Sequence, residues 1–270
     1  MGYGRLKGKV AFVTGGGSGI GRAIARSLAE EGAAVCVAGR NLENLESAVL
    51  ELELIGGRAL AAQMDISIEQ DVVSAVQKCI AGLGGLDILV NNSGIGGPTK
   101  YLWDLSLDEW NEVLTVDLSG SMLASREALR HMVPAGRGGS IIVIGSEGGR
   151  SGDGRSGYPM RAPYCCAKMG LIGLTETLAR ECGPHGIRVN CITPGAVAGQ
   201  RFVGMIGKRA EAAGITYEEA LASEMKMYSL RRPAEESEVG AVCVFLASEE
   251  SAAITGQTIP ANCGMNMWGV

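Results

Sequence analysis

The sequence predicts an α/β fold, a single domain over 1–270 built on a doubly wound parallel sheet with helices on both faces. Three observations predict it. Short, nearly continuous apolar runs recur along the chain, amphipathic stretches alternate with them, and a glycine-rich turn follows the first run directly. Strands buried on both faces read as unbroken apolar runs, and helices must lie between them to make parallel crossovers. Right-handed crossovers then wind the sheet in both directions.

The elements follow in order. KVAFVTG (9–15) is a β-rich run ending in glycine, and IGRAIARSLAEEG (20–32) places Ile20, Ile24 and Leu28 at helical spacing. AAVCVAG (33–39) is a second strand and NLENLESAVLELELIGG (41–57) a second helix. RALAAQMD (58–65), the helical EQDVVSAVQKCIAGLG and LDILVNNSG (86–94) continue the alternation. A long helical segment runs from about Ser106 to Met132, then the strand SIIVIGS (140–146), a helix carrying YCCAK (164–168), and the strand IRVNCITPG (187–195). ESEVGAVCVFLASEE closes the chain as helix and GQTIPANCG as a last strand. Two segments break the rhythm, 147–163 and 196–233. Both follow strand C-termini, where open α/β sheets bind ligands. The second mixes Met205, Ile206, Met225, Met227 and Tyr228 with charged residues and reads as a partly helical, substrate-covering lid.

Composition narrows the functional classes. Hydrophobic residues make up 46% and charged residues 20%, enough apolar material for a substantial core. A net charge of −5 argues against general nucleic-acid binding, which favours a basic surface. No run of about 18 apolar residues is present, so no membrane span is expected. The start MGYGRLKGKV has no apolar signal core and carries Leu6 where myristoylation wants Ser or Thr, so the cytosol is the expected location. The eight cysteines form no C-x-x-C pair and read as reduced thiols. With two histidines and no ligand spacing, no metal is expected.

TGGGSGIG (14–21) lies after the first strand and opens the first helix. Such a turn lets backbone approach a diphosphate, and the helix N-terminus adds free N–H groups and positive dipole charge. Its spacing is G-x-x-x-G-x-G, and Gly15, Ser18, Gly19, Ile20 and Gly21 are the candidates for holding a dinucleotide. A Walker loop is excluded because no G-K-S/T follows. The second strand ends VCVAGRN, with Gly39 where an NAD-binding sheet has a carboxylate for the ribose, followed by Arg40. A guanidinium suits a 2′-phosphate, so NADP is expected over NAD, with NAD still possible if Arg40 is only a solvated charge. Asp65 ends the third strand within reach of an adenine, and Asn91 to Gly94 (NNSG) end the fourth beside the cofactor; all are also ordinary turn residues.

In YCCAK, either the two cysteines or the tyrosine and lysine carry chemistry. Residues four apart lie roughly 40° apart around a helix, so Tyr164 and Lys168 share a face while Cys165 and Cys166 point elsewhere. A phenol is a poor base at neutral pH, and a neighbouring ammonium favours the phenolate. It can then take a proton from an alcohol as hydride leaves carbon, or return one to a ketone.

With these motifs in hand the chain resembles the short-chain dehydrogenase/reductase family. TGGGSGIG, NNSG, Ser146 in IIVIGS, Tyr164-x-x-x-Lys168 and IRVNCITPG occur in the family's order over nearly the whole chain. The resemblance implies a Rossmann-type domain, hydride transfer between NAD(P) and a secondary alcohol or ketone, and usually a homotetramer. It implies that Ser146 hydrogen-bonds the substrate oxygen, Tyr164 is the acid/base and Lys168 also holds the nicotinamide ribose. Pro194, Gly195 and Val197 would line the nicotinamide, Asn91 would lie beside the cofactor and Asp65 would touch adenine.

Three features depart from the pattern. Asp117 stands where the family usually has an asparagine supporting a proton-relay water, and a buried unpaired carboxylate there would be costly. The segment between Ser146 and Tyr164 is longer and rich in Gly and Arg, and Gly199 follows the PG turn where a threonine is common. Arg150, Arg155 and Arg161 in that segment, with Arg201 beyond the turn, are candidates for holding an anionic group of a small-molecule substrate such as a sugar or sugar acid, Arg201 foremost. The competing expectations are a non-catalytic dinucleotide-sensing protein on the same fold, and a dehydratase or epimerase on this scaffold.

Overall fold

A computed structural model describes residues 4–149 and 157–265. Seven parallel strands form one sheet in the order β3-β2-β1-β4-β5-β6-β7: β1 (Val10–Thr14), β2 (Ala34–Gly39), β3 (Ala59–Gln63), β4 (Ile88–Asn91), β5 (Gly139–Ile144), β6 (Ile187–Pro194) and β7 (Thr258–Ala261). The chain moves outward from β1 to β3, then returns to the other side of β1 at β4. The direction of winding therefore reverses between β1 and β4, and a crevice opens beyond their C-terminal ends.

Helices α1 (Gly19–Glu30) and α2 (Leu42–Leu54) follow β1 and β2, and α3 (Glu69–Leu83) follows β3. Between β4 and β5 lie α4 (Leu107–Leu114) and α5 (Gly120–Ala135); α6 (Ala162–Cys182) precedes β6. The 196–233 segment holds α7 (Gln200–Ala213) and α8 (Tyr217–Met225), and α9 (Glu236–Ala247) leads to β7. Two apolar clusters sandwich the sheet. Phe12, Cys36, Leu89, Ile141 and Val189 face α3, α5 and α6 on one side. Val13, Val35, Val90, Ile142 and Ile192 face α1, α2 and α9 on the other. Alternating strand residues serve opposite faces, which explains why the runs carry no polar interruption.

The segment expected as one long helix from about Ser106 to Met132 contains a wide turn. Ser106 caps α4, accepting from the Glu109 amide at 3.2 Å while the Glu109 carboxylate accepts from the Ser106 amide. Thr115–Ser119 is then π-helical, and α5 continues to Ala135. A π turn inserts one extra residue into the helical ladder and re-aims its side chains, and here it turns Asp117 into the interior, fully buried.

The 196–233 segment packs around a small apolar cluster of its own, with Phe202, Ile206, Ala210 and Ala220 at its centre. Beneath it Glu224, nearly buried, accepts from the Tyr228 hydroxyl at 3.3 Å and pairs with Arg209.

Candidate active site

The glycine turn is locked to the end of β4 by one threonine. Thr14 Oγ1 accepts from the amides of Asn92 and Ser93, each at 2.9 Å, and Asn92 Nδ2 donates to the carbonyls of Thr14 at 3.0 Å and Gly15 at 3.3 Å. That crowding makes the glycines obligatory. A Cβ on Gly21 would lie 2.3 Å from the Gly15 carbonyl oxygen and 2.4 Å from Asn92 Nδ2, and one on Gly15 2.8 Å from Asn92 Nδ2. Gly15 and Gly19 also hold φ of +66° and +53°. Gly21→Ala is expected to cost about 1–3 kcal/mol of stability, read as a lower Tm, because backbone rather than a flexible side chain blocks the methyl.

Ser18 and Gly19 are exposed at the mouth of this turn and Ile20 is half-buried. Ser18 is the N-cap of α1 but spends no side-chain bond on it, leaving its hydroxyl free of the helix. A Cβ on Gly39 would meet only Leu45 at 3.8 Å and Gly15 at 4.0 Å, so the end of β2 leaves open space beside the exposed Arg40. Asp65 is half-buried and accepts from the Ser67 hydroxyl at 2.6 Å and the Ser67 amide at 2.9 Å. Those bonds, with the nearby positive charge of Arg40, hold its carboxyl below the usual range.

Beyond β4 and β5 the buried polar groups gather. Asn91 Nδ2 donates to Ser125 Oγ at 2.8 Å, while its buried Oδ1 has no hydrogen-bond partner among the described residues. Asp117 Oδ1 accepts from the Ile95 amide at 2.7 Å, and Oδ2 lies 3.5 Å from Lys168 Nζ without a hydrogen bond of its own. A Cβ on Gly94 would be 3.1 Å from that Oδ2, so Gly94 lets the turn close over the carboxylate. Burial pushes the Asp117 carboxyl up, opposed first by the Lys168 charge. Lys168 is buried and donates to the Ile144 carbonyl at 3.2 Å. The carboxylate that replaces the usual asparagine is therefore paired rather than isolated.

Tyr164 is half-buried on the first turns of α6, between two cations. Lys168 Nζ lies 5.7 Å from its ring centroid and the Arg161 guanidinium 5.0 Å. Arg161 Nη2 donates to the Gly96 carbonyl at 2.8 Å, bridging the end of β4 to α6. Arg201, the foremost sequence candidate for an anion, is exposed on α7, and its charge is the smallest of the influences that lower the Asp117 carboxyl. The structure thus places Arg161, not Arg201, against Tyr164. Arg150 and Arg155 lie outside the described residues. Ser146 Oγ, half-buried after β5, accepts from the Gly148 amide at 3.2 Å. Behind it Thr193 Oγ1 donates to Glu147 Oε1 at 3.0 Å, both buried. Pro194 ends β6, the Gly195 amide donates to Ala261 at 3.3 Å, and Val197 bridges to Ala234.

Several residues here were missed by sequence reasoning. Thr14 carries a signal in hindsight, being a polar residue ending an apolar strand before glycines. Tyr158 packs its ring where a Gly148 Cβ would sit 2.6 Å away, and its phenol is pushed well up by burial. Its amide donates to Cys165 Sγ at 3.3 Å, so that thiol serves packing, whereas Cys166 is exposed. All eight cysteines are free. No group of three or more potential metal ligands occurs among the described residues.

The open space at Gly39, the accessible Ser18–Gly19 turn and the unpartnered Asn91 Oδ1 fit a nicotinamide dinucleotide laid across the crevice. A cleft lined by Asp87, Arg137, His185 and Arg188 opens at the N-terminal ends of the central strands and contains none of these residues.

Comparison with known proteins agrees with this arrangement. The short chain dehydrogenase family model matches residues 9–206. A short-chain dehydrogenase/reductase of Armillaria gallica is 38% identical over 265 residues, covering 96% of each chain. Glucose 1-dehydrogenase 2 of Bacillus subtilis is 32% identical over 270 residues, covering 98% of each. Carveol dehydrogenase from Mycobacterium avium, solved with NAD, superposes with a TM-score of 0.87 at 29% identity, over 97% of this chain and 98% of that one. On sequence and architecture together, the chain belongs to the short-chain dehydrogenase/reductase family of oxidoreductases.

Proposed function

We propose that this oxidoreductase interconverts a secondary alcohol and a ketone, prefers NADP, and uses Tyr164 as its acid/base. The observation that supports this most is the Tyr164–Lys168 arrangement: a half-buried phenol whose lysine neighbour is buried and fixed by Ile144 and Asp117. A bound nicotinamide supplies the hydride acceptor or donor. The chain's residues do the rest. Ser146 Oγ donates to the substrate oxygen and orients it toward Tyr164. The Tyr164 phenol oxygen takes the hydroxyl proton in oxidation and returns it in reduction. Lys168 and Arg161 hold positive charge beside the phenol ring, where it accompanies the proton transfer. Pro194, Gly195 and Val197 close the site from the β6 side, and the 196–233 segment covers it as a lid.

The substrate in this reading is a polar hydroxy compound with an anionic group, such as a sugar acid, set against Arg161. The Arg161 guanidinium beside the phenol supplies a positive charge that a carboxylate would meet. The protein acts as a cytosolic homotetramer in the same reading, supported by the family resemblance. The exposed, stacked rings of Tyr101 and Trp103 beside exposed Leu102 and Leu107 provide apolar surface for association.

NADP preference rests on Arg40 and the space at Gly39. Arg40→Ala is expected to weaken NADP binding about tenfold or more, from loss of a charge-assisted contact, and to leave NAD affinity unchanged. Gly39→Asp is expected to reverse the preference, since its carboxylate repels a 2′-phosphate and accepts from ribose hydroxyls. Calorimetric titration of parent and variants with each dinucleotide reads both effects. Equal parent affinity for NAD and NADP would remove the preference.

A further inference from the structure

Glu236 is an acidic side chain in a position where the proposed function calls for the opposite charge. It opens α9, half-buried, and among the described residues no cation pairs with it. Its neighbours are satisfied elsewhere: Glu238 holds Arg232 through two contacts of 2.7 Å and accepts from the Glu235 amide at 2.8 Å. The Glu236 carboxylate instead lies against two glycines. A Cβ on Gly19 would be 3.7 Å from its Oε1, and a Cβ on Gly199 would be 3.2 Å away. Apart from adjoining backbone, no other group among the described residues comes within 4 Å of either position.

Those contacts place the carboxylate among three helix N-termini. Gly19 begins α1, Gly199 is the N-cap of α7 and Glu236 is the first residue of α9. Helices α1 and α9 pack closely along each other, since a Cβ on Gly240 would strike Ser27 Oγ at 2.3 Å. Each N-terminus presents unpaired amides and positive dipole charge, so their convergence creates a favourable potential for one anion. This explains how a half-buried carboxylate persists without a cationic partner. Burial and the adjacent Glu235 still hold the carboxyl above its usual range.

The same potential is what a dinucleotide diphosphate would use at the α1 N-terminus. We propose that Glu236 is a resident anion at the diphosphate subsite that limits dinucleotide affinity and speeds release. The proposal rests on the dinucleotide reading above. A diphosphate entering beside Gly19 must displace or neutralise the carboxylate, and either step subtracts from binding. Repulsion between unit charges several ångströms apart near a surface is large enough to change affinity by about an order of magnitude.

The experiment is calorimetric titration of the purified protein and of Glu236→Gln and Glu236→Ala with NADP, ADP-ribose and adenosine. Both variants are expected to bind NADP and ADP-ribose about tenfold more tightly than the parent and to release NADP more slowly in stopped-flow displacement. Adenosine, which lacks the diphosphate, should bind all three proteins alike. Unchanged or weaker NADP binding by both variants would overturn the proposal, as would an equal gain for adenosine. Failure of parent and variants alike to bind any dinucleotide would instead remove the cofactor reading on which the proposal depends, and the proposal with it.

Discussion

Tyr164→Phe is expected to lower kcat by about two to four orders of magnitude while leaving dinucleotide affinity and Tm close to those of the parent. The ring is half-buried and rests between Lys168 and Arg161, and phenylalanine preserves that packing. Only the hydroxyl, the group proposed to carry the proton, is lost. A loss confined to kcat at unchanged binding identifies a group acting in the transition state rather than in substrate capture. Steady-state kinetics with the best alcohol of a broad panel, together with dinucleotide titration, separates the two.

Lys168→Met is expected to strike both stability and turnover. The ammonium lies 3.5 Å from Asp117 Oδ2 and donates to the Ile144 carbonyl at 3.2 Å, all in the interior. Removing one partner of a buried pair leaves a charge uncompensated, at a cost of about 3–5 kcal/mol. The pH dependence follows from Asp117. Burial already raises its folded pKa above the reference 3.8, and Lys168 is the largest influence opposing that rise. Loss of the lysine therefore raises the folded value further. A carboxyl with a raised folded pKa favours folding fully below its unfolded pKa, and that contribution is lost as pH rises toward the folded value. The variant should accordingly approach the parent in Tm below about pH 4 and fall progressively behind as pH rises from there. A second substitution, Asp117→Leu, should restore much of the Tm without restoring kcat. A Lys168→Met protein with parental Tm at every pH would show that the pair does not hold the site.

The parts of this arrangement visible in sequence are those fixed by local geometry. The glycine turn is legible because its requirement lies in the backbone itself. At Gly15 and Gly21 a methyl has no room, and at Gly19 the left-handed φ excludes most residues. Tyr164 and Lys168 are legible because four residues on a helix return to one face. The seven parallel strands are legible because both faces of the sheet are covered, so each run is apolar without alternation.

What was not legible depends on long-range approach or on irregular turns. Asp117 faces inward because Thr115–Ser119 is π-helical, and no α-helical wheel drawn from Ser106 foretells that rotation. Sequence favours Arg201 over Arg161 for the anion; the hydrogen bond to Gly96 and the approach to the Tyr164 ring distinguish Arg161 only in three dimensions. Glu236 lies far along the chain from Gly19, and their proximity follows from α9 packing beside α1. Tyr158 gains its position from the glycine at 148, a residue that reads in sequence as ordinary loop.

In the proposed reaction hydride leaves a substrate carbon while Tyr164 takes the hydroxyl proton. Secondary alcohols deuterated at the carbinol carbon, incubated with the protein and oxidised dinucleotide, test this by mass spectrometry of the recovered cofactor. The expected result is reduced dinucleotide carrying one deuterium with the parent protein, and nearly none with Tyr164→Phe at equal dinucleotide occupancy. Deuterium found only in solvent, or transferred as fast by Tyr164→Phe as by the parent, would contradict it.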